Sequence, residues 1–294
     1  MTVIDGKRIA ERIIGELKTK PRPEKFFAAI VVGEDPASMS FLGRKEKTAK
    51  ELGVDFRLYR LGAELTNDEL RKEVGTIANH KTCGGVIVQL PLPAHLNRHY
   101  ALNAIPPEKD VDVLGERALG SFYTGRGKVL PPAVGTLAEI LRAADRDIKT
   151  QKVAAVGLGL LIGKPIATWL MGKARELHLL HRGSDFSILK NVDLVVTGVG
   201  KPKVVTPEML SPGAGVVDYG YSLEGEGDPE GKMRLVGDFD PSTPQSNSGQ
   251  ALQSDSGQAS MGQGSFYTPT PGGTGPVLVA KLFENFFLLN SEER

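Results

Sequence analysis

The chain has 294 residues, 40% hydrophobic and 24% charged, an ordinary globular composition with enough length for two hydrophobic cores. Lysine and arginine number 36 against 35 aspartates and glutamates, a net charge of +1, so no global field favours nucleic acid or an anionic membrane. The expected partner is therefore a small molecule.

No apolar run approaches the roughly 18 residues of a membrane span, and charges from Asp5 onward interrupt any signal-peptide pattern, so the expected compartment is the cytoplasm. The single cysteine, Cys83, precludes an internal disulfide and a cysteine-cluster metal site. The histidines at 80, 95, 99, 178 and 181 form no H-E-x-x-H pattern, and no metal is expected.

Ile9, Ala10, Ile13, Ile14 and Leu17 predict an amphipathic first helix, and FFAAIVV, Phe26 to Val32, a buried strand. The stretch from Asp35 to Leu52 predicts a helix with capping chemistry at Asp35, Pro36 and Ser38. Its apolar stripe, Phe41, Leu42, Ala49 and Leu52, also contains Lys45, which must then point inward. Two readings stand side by side. Lys45 buries its stem and lifts its ammonium to water, or it lines a cleft where desolvation lowers its pKa enough for proton exchange.

VDFRLYRL predicts a second strand, Asn67 to Ala78 a second helix, and Gly84 to Pro93 a third strand that stops in prolines. The alternation predicts a parallel sheet with ligands beyond the carboxyl ends of its strands, where Gln89 lies. Gln89 could equally satisfy backbone groups freed by Pro91 and Pro93. The loop PPEKDVDVLG places Asp110 and Asp112 on alternate sides of Val111, either solvated or with Asp112 aimed into the same cleft.

Pro131 and Pro132 precede a helix from about Gly135 to Ala144 that leads into a second domain. Lys152 to Leu170 then reads as strand, glycine turn and helix, with Gly157, Gly159 and Gly163 spaced one residue wider than G-x-G-x-x-G. Strands over Glu176 to Arg182, Asn191 to Pro202 and Gly213 to Gly220 complete a doubly wound pattern. No acidic residue ends the strand after the glycine turn, and Arg182 can offer a fork to a 2′-phosphate, so NADP is favoured over NAD, with a solvated arginine the plain alternative. Residues Pro241 to Gly264, with QSNSGQA nearly repeated as QSDSGQA, predict a flexible Ser/Gln insertion. YTPTPGGTGP then predicts a stiff loop before a last amphipathic helix.

Taken together, DGKRIA, DPAS with a lysine seven residues beyond Ser38, VQLPLP, KDVD, G-x-x-x-x-x-G-K-P, VGKP, VVDYG, VGDFD and TPTPGGTGP resemble, in order and spacing, the bifunctional methylenetetrahydrofolate dehydrogenase/methenyltetrahydrofolate cyclohydrolase family. The resemblance spans nearly the whole chain outside the Ser/Gln insertion. It implies an α/β protein of two domains. A folate-binding domain over 1–134 is rejoined by a C-terminal helix in 274–294, and a Rossmann-type dinucleotide domain occupies 135–273 and contains the insertion 241–264. Between the two domains the family holds its reacting carbon. Methylenetetrahydrofolate oxidation with NADP, hydrolysis of the methenyl product and a homodimer through the nucleotide domain are also implied. The alternatives are a member with one of the two activities, a two-domain dehydrogenase for another small substrate, or a folate- or nucleotide-binding protein without turnover.

The family's proton-handling lysine matches Lys45, its supporting glutamine Gln89 and its pterin-contacting aspartate Asp112. Phe41, Pro91 and the loop with Pro271, Gly272, Gly273 and Pro276 match substrate contacts. Gly157, Leu158, Gly159, Gly163, Arg182, Ser184, Gly198, Val199, Gly200 and Tyr221 match positions near the cofactor. The chain departs from the family at four places. Phe41 replaces a tyrosine, Val113 replaces the glycine after KDVD, Leu130-Pro131-Pro132-Ala133 replaces a proline-cysteine-threonine-proline run, and Leu158-Gly159 replaces an arginine-serine pair.

Overall fold

The protein is described by a computed structural model over residues 1–33, 36–224, 234–242 and 265–291. The capping expected of Asp35 and Ser38 and the Ser/Gln repeats at 243–264 lie outside the described residues and side chains. In chain order the first elements are β1 (Thr2–Val3), α1 (Gly6–Lys18), β2 (Phe26–Val32), α2 (Pro36–Leu52), β3 (Phe56–Leu61), α3 (Asn67–Ala78), β4 (Cys83–Val88), α4 (Arg98–Leu102), α5 (Glu116–Tyr123) and α6 (Pro132–Ala143). Then come β5 (Lys152–Val156), α7 (Gly163–Leu170), β6 (Glu176–Leu180), β7 (Leu194–Thr197), β8 (Gly215–Asp218), β9 (Ser222–Glu224), β10 (Arg234–Val236), β11 (Phe266–Tyr267) and α8 (Thr274–Asn290).

The chain divides into two units, one of Ala10–Gly135 with the chain from Val277 onward, the other of Met1–Ile9 with Thr136–Pro276. The first is built on a parallel sheet in the order β3-β2-β4. Every residue of β2 and β4 is buried, which is why both read as unbroken apolar runs rather than alternating ones. α3 starts where Thr66 and Glu69 form a reciprocal capping box and buries Leu70, Val74, Ile77 and Ala78. Its other end is closed by the Lys109 ammonium, which donates to the Ala78 carbonyl at 2.6 Å and the His80 carbonyl at 3.2 Å. α8 packs on this sheet through Phe286, whose ring stacks on Phe27 with centroids 4.7 Å apart. The Asn285 amide also donates to the carbonyls of Val111 and Leu130.

The other unit carries a six-stranded sheet in the order β1-β11-β8-β7-β5-β6, every pair parallel. One side of its core gathers Ala154, Val156, Val195 and Val216 with Leu189, Leu210 and Phe239. A short antiparallel ladder joins β9 and β10. The first nine residues group with this sheet rather than with the first unit, because β1 pairs with β11. Two-residue strands have no periodicity to read, so this grouping departs from a first domain beginning at residue 1. β4 stops at Val88, five residues short of the expected Pro93, where Gln89 turns away and Pro91 follows a cis bond. α6 begins at Pro132, not after it, since proline suits the first helical turn.

Candidate active site

Lys45 shares its face of α2 with buried Leu42 and Ala49, and the residue is half-buried. Gln89 follows β4 directly, and its backbone N–H still donates across to Ile30 at 2.8 Å, so the side chain leaves from the carboxyl edge of the sheet. There the Lys45 Nζ donates to Gln89 Oε1 at 3.0 Å, while the Gln89 amide nitrogen donates to the Leu90 carbonyl at 2.8 Å. Both readings of Gln89 hold at once. One end of the amide satisfies backbone next to Pro91, and the other end holds the amine.

The third member comes from the loop after the short helical turn Pro107–Lys109. Asp110 is buried, and one of its oxygens, Oδ2, accepts from the N–H groups of Leu114 (3.0 Å) and Gly115 (2.7 Å). Its strand-like bridge to Val86 ties the loop to β4. Val113 takes φ of 57°, the left-handed conformation that a β-branched residue avoids. The valine therefore keeps the turn that glycine would make, and the backbone bears the strain. Asp112, between these anchors, is half-buried and acts electrostatically on Lys45.

Desolvation lowers the Lys45 pKa below that of a solvated lysine, and the Asp112 carboxylate opposes that shift. Desolvation in turn raises Asp112 above the usual carboxylate range, and Lys45 pulls it back. Burial raises Asp110 to about 6, with N–H donors acting against it and the Asp112 charge adding to it. The arrangement is an amine closer to neutrality than a surface lysine, oriented by an amide and balanced by a carboxylate. Such a group can take and return a proton. Phe41 lies one turn before Lys45 on α2, half-buried, with the Arg44 guanidinium 5.8 Å from its ring centre and no hydroxyl to relay a proton.

In the other unit the residues expected near a dinucleotide fall at the carboxyl ends of adjacent parallel strands. Gly157 to Gly163 follows β5, Arg182 and Ser184 follow β6, Gly198 to Gly200 follows β7, and Tyr221 follows β8. Gly157 has φ of +89°, and a Cβ on Gly163 would lie 1.7 Å from the Gly157 carbonyl oxygen, so the turn and the start of α7 approach as only glycine permits. A Cβ on Gly159 would meet no protein atom, leaving space over the turn. The Ser184 hydroxyl accepts from the His181 N–H at 3.0 Å and closes the turn that carries the exposed Arg182. Pro271 follows a cis bond after Thr270, Gly272 has φ of +102°, and the Gly273 N–H closes the loop onto the Pro269 carbonyl at 2.7 Å, with Pro276 half-buried beyond it.

Sequence reasoning gave no role to Asp110, Asp218 or Asp238, although all three stand inside quoted motifs, KDVD, VVDYG and VGDFD. Apart from the Thr197 hydroxyl on Asp238, the partners of these carboxylates are backbone N–H groups, which leave no residue-type signature. Among the described residues no cluster of His, Cys, Asp or Glu could hold a metal, and no helix is long and apolar enough to cross a membrane.

The molecule is thus a two-unit α/β protein with a Rossmann-type parallel sheet and a lysine-centred polar site on a second parallel sheet. Residues 4–112 match the family model for the tetrahydrofolate dehydrogenase/cyclohydrolase catalytic domain, and residues 131–294 match that for the NAD(P)-binding domain of the same family. The bifunctional protein FolD of Chlamydia felis is 34% identical over 294 aligned residues, covering 96% of each chain. Among solved structures, the bifunctional FolD methylenetetrahydrofolate dehydrogenase/cyclohydrolase of Campylobacter jejuni superposes with a TM-score of 0.84 at 28% identity, covering 99% of this chain and 98% of that one. The Trypanosoma brucei methylenetetrahydrofolate dehydrogenase-cyclohydrolase, solved with NADP cofactor and an inhibitor, gives a TM-score of 0.83 at 28% identity, covering 98% and 97%. The chain belongs to the tetrahydrofolate dehydrogenase/cyclohydrolase family.

Proposed function

We propose that the chain oxidises 5,10-methylenetetrahydrofolate to the 5,10-methenyl form with NADP and hydrolyses that product to 10-formyltetrahydrofolate. The observation that carries the reading is the 3.0 Å bond from Lys45 Nζ to Gln89 Oε1 beside Asp112. Family membership and the NADP complex of the Trypanosoma brucei relative support it.

In the hydrolysis, water adds to the cationic methenyl carbon and loses a first proton. As the carbon–nitrogen bond breaks, its electron pair goes to the ring nitrogen, which gains a proton, and the remaining hydroxyl proton is released to solvent as the formyl C=O forms. Lys45 in its neutral form accepts the first proton and returns it to the nitrogen, so the amine ends the cycle as it began. Gln89 Oε1 holds the ammonium in one orientation, and Asp112 stabilises the charged form. Phe41 and Pro91 supply apolar surface for the folate, and the Pro271–Pro276 loop is a further folate contact.

The dinucleotide residues fit their ligand: the turn at Gly157, Leu158 and Gly159 is open, and Gly163 brings the start of α7 close behind it. NADP, when bound, supplies the hydride acceptor. Arg182 offers a charge-assisted fork to its 2′-phosphate, Ser184 sets the turn, and Gly198 to Gly200 and Tyr221 line the remaining strand ends. NAD is the weaker alternative, since Leu158-Gly159 leaves Arg182 as the chief anion contact. The protein acts as a cytoplasmic homodimer through the nucleotide-binding unit; β6, with exposed Leu179, is an edge of its sheet and supports that reading.

A spectrophotometric assay with methylenetetrahydrofolate and each dinucleotide, followed in the same cuvette by decay of the methenyl absorbance, tests the reading. Both phases, faster with NADP, are expected. Oxidation without decay would make the chain a one-activity member, as the missing hydroxyl at Phe41 would favour. Binding with neither phase would reduce it to a folate- or nucleotide-binding protein.

A further inference from the structure

VVDYG and VGDFD contain two aspartates whose side chains are buried and whose bonds go to loop backbone. Asp238 is fully buried. Its Oδ2 accepts from the Val199 N–H at 2.6 Å and the Thr197 hydroxyl at 2.9 Å, and its Oδ1 accepts from the Lys201 N–H at 2.9 Å. Both oxygens are thus committed to the loop after β7, one on each side of Gly200, which has φ of +71°. The loop curls its N–H groups around a carboxylate as an anion-binding nest does, except that the anion is the protein's own.

Asp218 repeats the device one strand over. Its Oδ1 accepts from the N–H groups of Gly220 (2.7 Å) and Asp238 (3.2 Å), and its Oδ2 from that of Phe239 (3.0 Å). Its own N–H donates to the Thr268 hydroxyl at 2.8 Å, and its carbonyl accepts from the Thr274 hydroxyl at 2.8 Å. The two carboxylates therefore link in series the end of β8, the segment after β10 and the loop after β7, while the Asp218 backbone ties in Thr268 and the start of α8. A Cβ on Gly237 would lie 2.0 Å from Asp218 Oδ2, so that neighbour of Asp238 must be glycine.

We propose that Asp238, held by Asp218, is a positioning residue for dinucleotide binding: it sets the backbone of the Gly198–Lys201 loop before the cofactor arrives. This rests on the dinucleotide-binding reading above. The N–H groups of Val199 and Lys201 are already taken, so neither is available to a diphosphate. What the loop offers the cofactor is the exposed Val199 side chain. A preset loop costs the ligand no ordering entropy, so its loss appears as weaker binding.

The test is a fluorescence titration of the full chain with NADPH, comparing wild type with Asp238→Asn and Thr197→Val, alongside the KM for NADP. Asparagine offers one accepting oxygen where two are used, and losing one charge-assisted bond to the loop predicts a Kd about tenfold higher. Thr197→Val keeps the shape, removes one donor and predicts a rise of a few-fold. It carries the test should Asp238→Asn fail to fold. KM for NADP should rise in step with Kd, whereas a residue that merely supports the fold lowers kcat through the active fraction and leaves KM in place. Wild-type Kd and KM in both variants overturn this inference alone. Wild-type chain that binds no NADPH overturns the dinucleotide reading and this inference with it.

Discussion

The two units use buried carboxylates in opposite ways. In the unit with Lys45, Asp112 is set against an amine, while Asp110 holds the neighbouring turn through the N–H groups of Leu114 and Gly115. In the Rossmann-type unit, Asp218 and Asp238 commit both oxygens each, almost wholly to backbone. Proton transfer needs a group that is desolvated yet still free to change charge. Binding a large cofactor needs a backbone that does not move. The first demand sets the Asp112 carboxylate against an amine, and the second uses both oxygens of Asp218 and Asp238 to fix loops.

The largest expected effect breaks the first half of this contrast. Lys45→Met should lower methenyl-folate hydrolysis about 100-fold or more with an unchanged far-UV circular dichroism spectrum, because positioned acid–base groups contribute at least that much. Turnover within a few-fold of wild type would remove the amine from the chemistry.

Next in size is a pH effect at Asp110. Its folded-state pKa of about 6 lies above the ordinary 3.8, so the native state binds this proton more tightly than the unfolded chain does. Stability from this group is full below pH 3.8 and is lost as pH rises toward about 6, a decline of about 3 kcal/mol by linkage. Asp110→Asn can place its one carbonyl oxygen where Oδ2 now accepts both N–H groups, and it does not titrate. Urea denaturation from pH 4 to pH 7 should show the wild type losing ground to the variant across that window, and parallel curves would refute it.

Arg182→Gln sharpens the second half. The Kd for NADP should rise about tenfold, with that for NAD nearly unchanged, as expected for one charge-assisted contact to a 2′-phosphate. An equal loss for both dinucleotides would place the arginine elsewhere on the cofactor. Smallest is Val113→Gly, where relief of about 1–3 kcal/mol of left-handed strain is offset by loss of the buried side chain and the added freedom of the unfolded glycine, so thermal denaturation should show a net change within about 1 kcal/mol. A larger loss would mean that the valine's buried side chain outweighs its backbone strain.

Much of the architecture was legible from residue order alone, because strand and helix periodicities are local. β2 and α3 fall where their patterns predict, and Lys45 betrays itself by interrupting an apolar stripe. The ordered motifs carried the family. What the tertiary structure decided lies in pairings with no local signal: β1 against β11 from opposite ends of the chain, Lys45 with Gln89, and Asp238 with the loop after β7. The left-handed Val113 belongs with them, since no propensity would choose it and only the anchors on either side hold it there. A carboxylate's type is written in the chain, but whether it meets an amine, an N–H group or water depends on which distant segments close around it.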